Sequence, residues 1–183
     1  MNRLSGFTLI EMLIAVTVVA ILLTIGIPSF RYVTNSNRIA AEINGLLGDM
    51  QFARAEAIKE GLPVTVCVSA DGATCSGVNV NTWQNGWIVF SDLNGNAVVN
   101  TAAGDVVLRV QTPFSSTDTF VATNNVGAVT FNREGYANGI ANGTLIALHD
   151  STNNNSWTRC LSINLSGMML SQTYGTANGV TCN

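Results

Sequence analysis

Hydrophobic positions are distributed very unevenly along this chain. From Phe7 to Ile27 they run almost unbroken, FTLIEMLIAVTVVAILLTIGI, interrupted by a single carboxylate, Glu11. A helix of these 21 residues is long enough to cross a hydrocarbon layer about 30 Å thick. The six residues before it are short, polar and positive, with Arg3 beside the amino terminus. The positive-inside rule therefore leaves the N-terminus in the cytoplasm and the rest of the chain outside. An ordinary secretory signal has a shorter apolar region followed by an A-x-A-like cleavage site. Here the run passes straight into Pro28-Ser29-Phe30-Arg31. Glu11 is the costly residue, since a carboxylate inside a span is unfavourable by roughly 2.5–3.5 kcal/mol on insertion scales. It reads as functional, with hydration near the cytoplasmic face as the alternative.

Beyond Ser29 the periodicity changes. Ile39, Ile43, Leu46, Leu47, Met50, Ala53 and Ala57 form one stripe at helical spacing, with Arg38, Glu42, Asp49, Glu56 and Lys59 opposite. Gly61 supplies a C-cap and Pro63 prevents continuation, so an amphipathic half-helix over 29–61 follows a transmembrane half over 7–28. Pro28 removes one intrahelical hydrogen bond and is expected to kink or loosen the helix between them. Two residues break the pattern. Phe52 is read as an incidental exposed aromatic, with an intermolecular contact as the alternative, and Arg54 as an arginine whose stem snorkels along the apolar stripe. Gly45 and Gly48 are poor helix formers that permit either bending or close packing.

After Gly61 the pattern alternates as strands do. Val64–Val68 and Gly86–Phe90 are expected strands, with a hairpin turn at Asn94-Gly95. Further strands are expected at Val106–Val110, Ala128–Phe131, Thr144–Leu148, Cys160–Leu165 and Met168–Leu170, and Asp150–Ser156 reads as an exposed loop. One long helix followed by many short strands gives an α+β fold, with a β-rich head over 62–183 packed on the amphipathic stripe. No internal repeat is present.

Composition narrows the chemistry. Charged residues make up 10% of the 183 and the net charge is −3, which gives no general reason to expect a polyanionic partner. Four cysteines, Cys67, Cys75, Cys160 and Cys182, all follow the apolar run. In a translocated domain an even count suggests disulfides, and of the three connectivities Cys67–Cys75 with Cys160–Cys182 is preferred because each closes a short local loop. Buried free thiols or a metal site are the alternatives, but no CxxC pair occurs and His149 has no ligand-like neighbour. No metal and no cofactor is expected. Asp92-Leu93-Asn94-Gly95-Asn96 faintly resembles a calcium loop but lacks the full pattern and the closing glutamate, and a β-turn explains it better. No P-loop, nucleophile elbow or dinucleotide fingerprint is present, and a lone histidine does not make an active site, so no enzymatic activity is expected.

Gly6-Phe7-Thr8-Leu9-Ile10-Glu11, followed by the apolar run, resembles the class III signal of type IV pilins and type II secretion pseudopilins. The resemblance implies that a prepilin peptidase cuts between Gly6 and Phe7 and that Phe7 is N-methylated. Glu11 then falls on the family's glutamate and Pro28 on a proline common near the end of its apolar half-helix. An unpaired carboxylate in a low dielectric is costly and a paired one much less so, so Glu11 is expected to pair with the amine of a neighbouring subunit and set assembly register. Trp87–Gly95, Phe131–Gly135 and Arg159–Gly167 further resemble the GspH/FimT/FimU group of minor pilins and pseudopilins.

That resemblance implies a type IV pilin fold and a minor pilin that helps prime pilus assembly. Its implied partners are the major pilin and other minor pilins, through Phe7–Ile27, together with the prepilin peptidase and the inner membrane. The implied location is the inner membrane with a periplasmic head, then the pilus on the cell surface. Pseudopilin H of a type II secretion system is the alternative reading. A DNA-binding competence pilin is the third, but some such pilins carry a G-R-x-R-like motif, and the matching stretch here, Gly167-Met168-Met169-Leu170, has neither arginine. Arg133 and Arg159 remain as scattered cations, and nucleic acid is not an expected partner.

Overall fold

The computed structural model describes residues 7–141, 143–177 and 180–183. Gly6 and the leader over 1–6, including Arg3, lie outside the described residues. The chain divides into two compact units, one ending at Arg38 and one running from Ile39 to Asn183.

In the first unit, helix α1 begins at Leu9 and continues, across the unit boundary, to Glu60. Pro28 lies inside the helix without ending it. Polar side chains in the apolar stretch satisfy themselves locally: the Thr17 hydroxyl donates to the Leu13 and Ile14 carbonyls at 3.0 and 2.8 Å, and Thr24 to Ile21 at 2.7 Å. Such back-bonding leaves few unmet polar groups on a surface suited to lipid or to other helices.

In the second unit the expected stripe is the buried one. Ile39, Ile43, Leu46, Met50, Ala53 and Ala57 are buried, and Leu47 packs partly against them. Gly61 closes the helix, its N–H donating to the Ala57 carbonyl at 3.0 Å. Asp49, expected on the opposite face, instead sits at the stripe's edge and accepts a hydrogen bond from the Trp87 indole at 2.9 Å. Gly45 and Gly48 face open space, so close packing within this unit does not explain them.

Two antiparallel sheets pack around that stripe. The first holds five strands in the order β3-β2-β1-β5-β6: β1 Val64–Val68, β2 Trp87–Ser91, β3 Val106–Gln111, β5 Ala128–Phe131 and β6 Ala137–Asn138. The second has the order β4-β7-β8-β9: β4 Thr119–Ala122, β7 Thr144–His149, β8 Arg159–Ile163 and β9 Met169–Thr173. A terminal pair, β10 Gly175–Ala177 and β11 Val180–Cys182, follows. One core joins the helix to both sheets through Trp83, Trp87, Val89, Phe120, Phe131, Ile146, Leu148, Leu161 and Ile163. Trp87, Phe114 and Phe120 stack and meet edge-on within 6.4 Å, which adds to their area burial.

Asn94-Gly95 does not close a two-residue hairpin, because β2 and β3 are separated by the whole segment 92–105. The turn there is organised by buried Asp92. Its carboxylate accepts from the Thr65 hydroxyl at 2.7 Å and the Ala97 N–H at 2.8 Å, while its carbonyl accepts from the Gly95 N–H at 3.0 Å. A buried carboxylate saturated by in-chain donors explains both the turn and the calcium-like spacing. The segment 150–156 is a loop, exposed beyond Asp150.

Both preferred disulfides form, Cys67–Cys75 and Cys160–Cys182. The second ties the C-terminal pair to the outer face of the four-stranded sheet, where Leu145, Cys160 and Cys182 make a small separate core. With the cysteines 22 positions apart, the C160S/C182S double substitution is expected to lower stability by about 3 kcal/mol. Chemical denaturation of the full chain in detergent measures this, and a loss under 1 kcal/mol would show that packing alone holds the C-terminal pair.

Candidate functional site

Three features stand out from the bulk of the molecule. The first is the start of α1. Thr8 and Glu11 form a reciprocal capping box: the Thr8 N–H and hydroxyl donate to Glu11 Oε2 at 2.9 and 3.1 Å, and the Glu11 N–H donates to Thr8 Oγ1 at 3.3 Å. The T-x-x-E spacing carried this signal in the sequence. Phe7 directly precedes the cap and is 92% exposed. From Phe7 to Ile27 every described side chain is exposed, and this helix is long and apolar enough to cross a membrane. Such a continuous uncovered apolar surface is far larger than a soluble monomer tolerates. Pro28 follows it inside the helix.

The second feature is a clamp that joins helix to sheets. Arg54 does not merely lay its stem along the stripe. Its Nε donates to the Gly135 carbonyl at 2.9 Å and its Nη2 to the Ser166 carbonyl at 3.4 Å. The two turns it holds, 132–135 and 164–167, are stitched to each other by the Ala137 N–H donating to the Leu165 carbonyl at 3.0 Å. They are the turns of the Phe131–Gly135 and Arg159–Gly167 segments, which the sequence singled out without showing that they meet.

The third feature lies across the helix. Arg109 of β3 pairs with Asp49 at 2.9 Å and places its guanidinium 3.7 Å from the centre of the Phe52 ring. Phe52 is therefore not an incidental exposed aromatic: it is half-buried under a cation and packs on the core.

The remaining candidates do not converge. Exposed Arg133 pairs with its neighbour Glu134 at 2.7 Å, which holds that carboxyl below its usual range. Arg159 donates to the Ser156 and Thr158 carbonyls at 3.0 and 2.9 Å. His149 Nδ1 lies 3.3 Å from the Thr158 hydroxyl. Where the competence motif carries arginines, Met168 and Leu170 are exposed instead. Among the described residues no group of His, Cys, Asp or Glu side chains is arranged to hold a metal ion.

Residues 42–167 match the family described as type II transport protein GspH, and residues 1–27 match the prokaryotic N-terminal methylation motif. The chain belongs to the GspH family. No curated protein matches it. Its fold is similar to two crystal structures of the Pseudomonas aeruginosa PAO1 type IV minor pilin FimU. One, in space group P21, has a TM-score of 0.58 at 19% identity and covers 84% of this chain and 99% of that one. The other, in space group P65, has a TM-score of 0.53 at 18% identity, with 82% and 98% covered. One long N-terminal helix on antiparallel sheets is the type IV pilin fold, and the GspH match spans the clamp, both of its turns and the Arg109 cluster. Membership of a pilin family implies association with other pilins in a filament and anchoring through the apolar helix.

Proposed function

We propose that this GspH-family chain is a non-enzymatic minor pilin of a type IV pilus. Prepilin peptidase cuts between Gly6 and Phe7 and methylates Phe7. Residues 7–28 hold the subunit in the inner membrane with the head periplasmic, and the same surface then packs against the major pilin and other minor pilins. The observation that carries this reading is the uncovered apolar face from Phe7 to Ile27, lying within a methylation motif over 1–27 and followed by a head with its own core. A helix of that kind has two suitable environments, lipid and a bundle of like helices, and a pilus subunit passes from one to the other. Glu11 sets the register of that bundle by meeting a neighbour's amine, and Pro28 marks the end of the bundled half.

Pseudopilin H of a type II secretion system is the second reading, favoured by the family's own description. Two measurements on a deletion strain separate them. The expected result is loss of surface pili with secretion intact, and recovery of the complementing chain from sheared filaments with N-methyl-phenylalanine as its first residue. Intact pili with lost secretion would establish the second reading instead.

A further inference from the structure

The outer face of the five-stranded sheet holds a cleft of about 380 Å³, at the small end of the roughly 300–1,000 Å³ typical of ligand pockets. Strands β1 and β5 alternate there. Val64, Val66, Val129 and Phe131 pack into the core shared with α1, so Thr65, Ala128 and Thr130 face the other way. Ala128 and Thr130 line the cleft together with the turn after Asp92 and the end of β6.

A polarised chain of hydroxyls leads into this cleft. The buried Asp92 carboxylate accepts the proton of the Thr65 hydroxyl at 2.7 Å. Thr65 Oγ1 lies 2.6 Å from Thr130 Oγ1 and has no further proton to give, so Thr130 donates to it. The Thr130 oxygen is thereby left with lone pairs alone, and it meets the cleft as an acceptor.

Asn94, Asn96, Asn132 and Asn138 bring the complementary donors. The first three spend their side-chain carbonyl oxygens locally. Asn94 accepts from the Asn96 N–H at 3.2 Å, and Asn96 from the Val98 N–H at 2.9 Å. Asn132 accepts from the Glu134 and Tyr136 N–H groups at 3.1 and 2.9 Å. Aspartate would serve those turns equally well; asparagine alone adds an NH2 donor. Among the described residues none accepts a hydrogen bond from these four amide nitrogens. The Asn138 side chain is exposed and makes no hydrogen bond within the chain, so no turn accounts for it. No charged side chain lines the cleft.

We propose that this cleft binds a neutral saccharide, one sugar ring seated on Ala128 and Val78, with neighbouring hydroxyls donating to Thr130 and accepting from the asparagine amides. Uronic and sialic acids are selected against, because their carboxylates would be desolvated with no cation to pair. A peptide is the poorer fit. Each peptide group points its N–H and C=O in opposite directions, whereas vicinal hydroxyls present a donor and an acceptor side by side. The inference adds a ligand to the assembly role and holds for either apparatus.

The test is saturation-transfer NMR on the full-length chain in a detergent without a sugar headgroup. The probes are the methyl glycosides of glucose, galactose and mannose, with methyl N-acetylglucosaminide as a separate arm. The N-acetylated sugar is a cell-wall unit and the plain hexoses belong to outer polysaccharides, so the arm that responds identifies the source. Transfer to at least one neutral glycoside is expected. Asn138→Ala should reduce it by about fivefold or more, the scale of one lost hydrogen bond. Asn132→Asp, which keeps the turn's acceptor and removes only the donor, should do the same while the unfolding midpoint stays unchanged. Methyl glucuronide and galacturonide should respond far less than the neutral sugar that binds best. Transfer to no neutral glycoside, undiminished transfer with both variants, or an equal response from the uronides would each overturn the proposal. Transfer to an uncharged blocked tripeptide and to no sugar would establish a peptide ligand instead.

Discussion

Replacing Gly167 by alanine should cost the head about 4 kcal/mol, a large share of the 5–15 kcal/mol typical of a folded domain. Two separate costs combine. Gly167 sits at φ +73°, where an L side chain is strained by about 1 kcal/mol. A Cβ there would also collide with the Gly135 carbonyl and come within 2.9 Å of Arg54 Nε. Neither neighbour can move freely, because the Arg54 guanidinium is already bonded to that carbonyl. Forcing the turns apart breaks a charge-assisted hydrogen bond worth about 1.5–3 kcal/mol and loosens the packing around it. Gly95 is the internal control: its φ is +68° but nothing lies within 4 Å of its would-be Cβ, so Gly95→Ala should cost only the backbone strain. Thermal or chemical unfolding of both variants in detergent gives the comparison. If Gly167→Ala came within 1 kcal/mol of Gly95→Ala, the clamp would carry no stability.

The clamp also marks where the sequence stops being legible. The amphipathic stripe could be read directly, because helical periodicity reports burial against any surface, whichever strands supply it. Most central strands were found from their own periodicity: Val64–Val68 alternates as a strand does, although the structure buries all five of its residues. The two disulfides followed from loop length. By contrast, β4 and β6 were missed. Each is short, and each is held by backbone contacts to distant segments, as when the Ala122 N–H donates to the Asn81 carbonyl at 3.4 Å. No local pattern encodes that. Asn94-Gly95 misled because its turn chemistry is real, yet the carboxylate that organises it, Asp92, is bonded to Thr65, 27 positions earlier. Phe52 and Arg54 misled in the same way. Each looked misplaced on a helical wheel, and each is explained by a partner far along the chain, Arg109 for one and Gly135 for the other. At the N-terminus the methylation motif was legible in the sequence, while the role of Thr8 beside Glu11 was visible only as spacing.

That spacing sets up the prediction with the largest effect on assembly. In the subunit alone Glu11 is not a bare charge in an apolar segment, since the Thr8 N–H and hydroxyl both donate to it. The proposed pairing adds a second role, meeting a neighbour's amine, to the cap that this side chain makes, and the two can be separated. Glutamine serves in a capping box as glutamate does, but carries no charge. Glu11→Gln should therefore keep the first turn of α1 and lose the ion pair, whereas Thr8→Ala should weaken the cap and keep the charge. If pairing drives entry into the filament, Glu11→Gln and Glu11→Ala lower the amount of this chain in sheared filaments alike, by about tenfold or more, the equivalent of roughly 1.4 kcal/mol per contact. Thr8→Ala then stays within about threefold of the unaltered chain, because a cap contributes only about 1 kcal/mol and acts within the subunit. Quantifying each variant in membrane and filament fractions makes the comparison independent of expression. Recovery of normal incorporation by Glu11→Gln would show that the carboxylate's charge is dispensable. Glu11 would then matter for how the helix begins, and the register of the bundle would have to come from the apolar face alone.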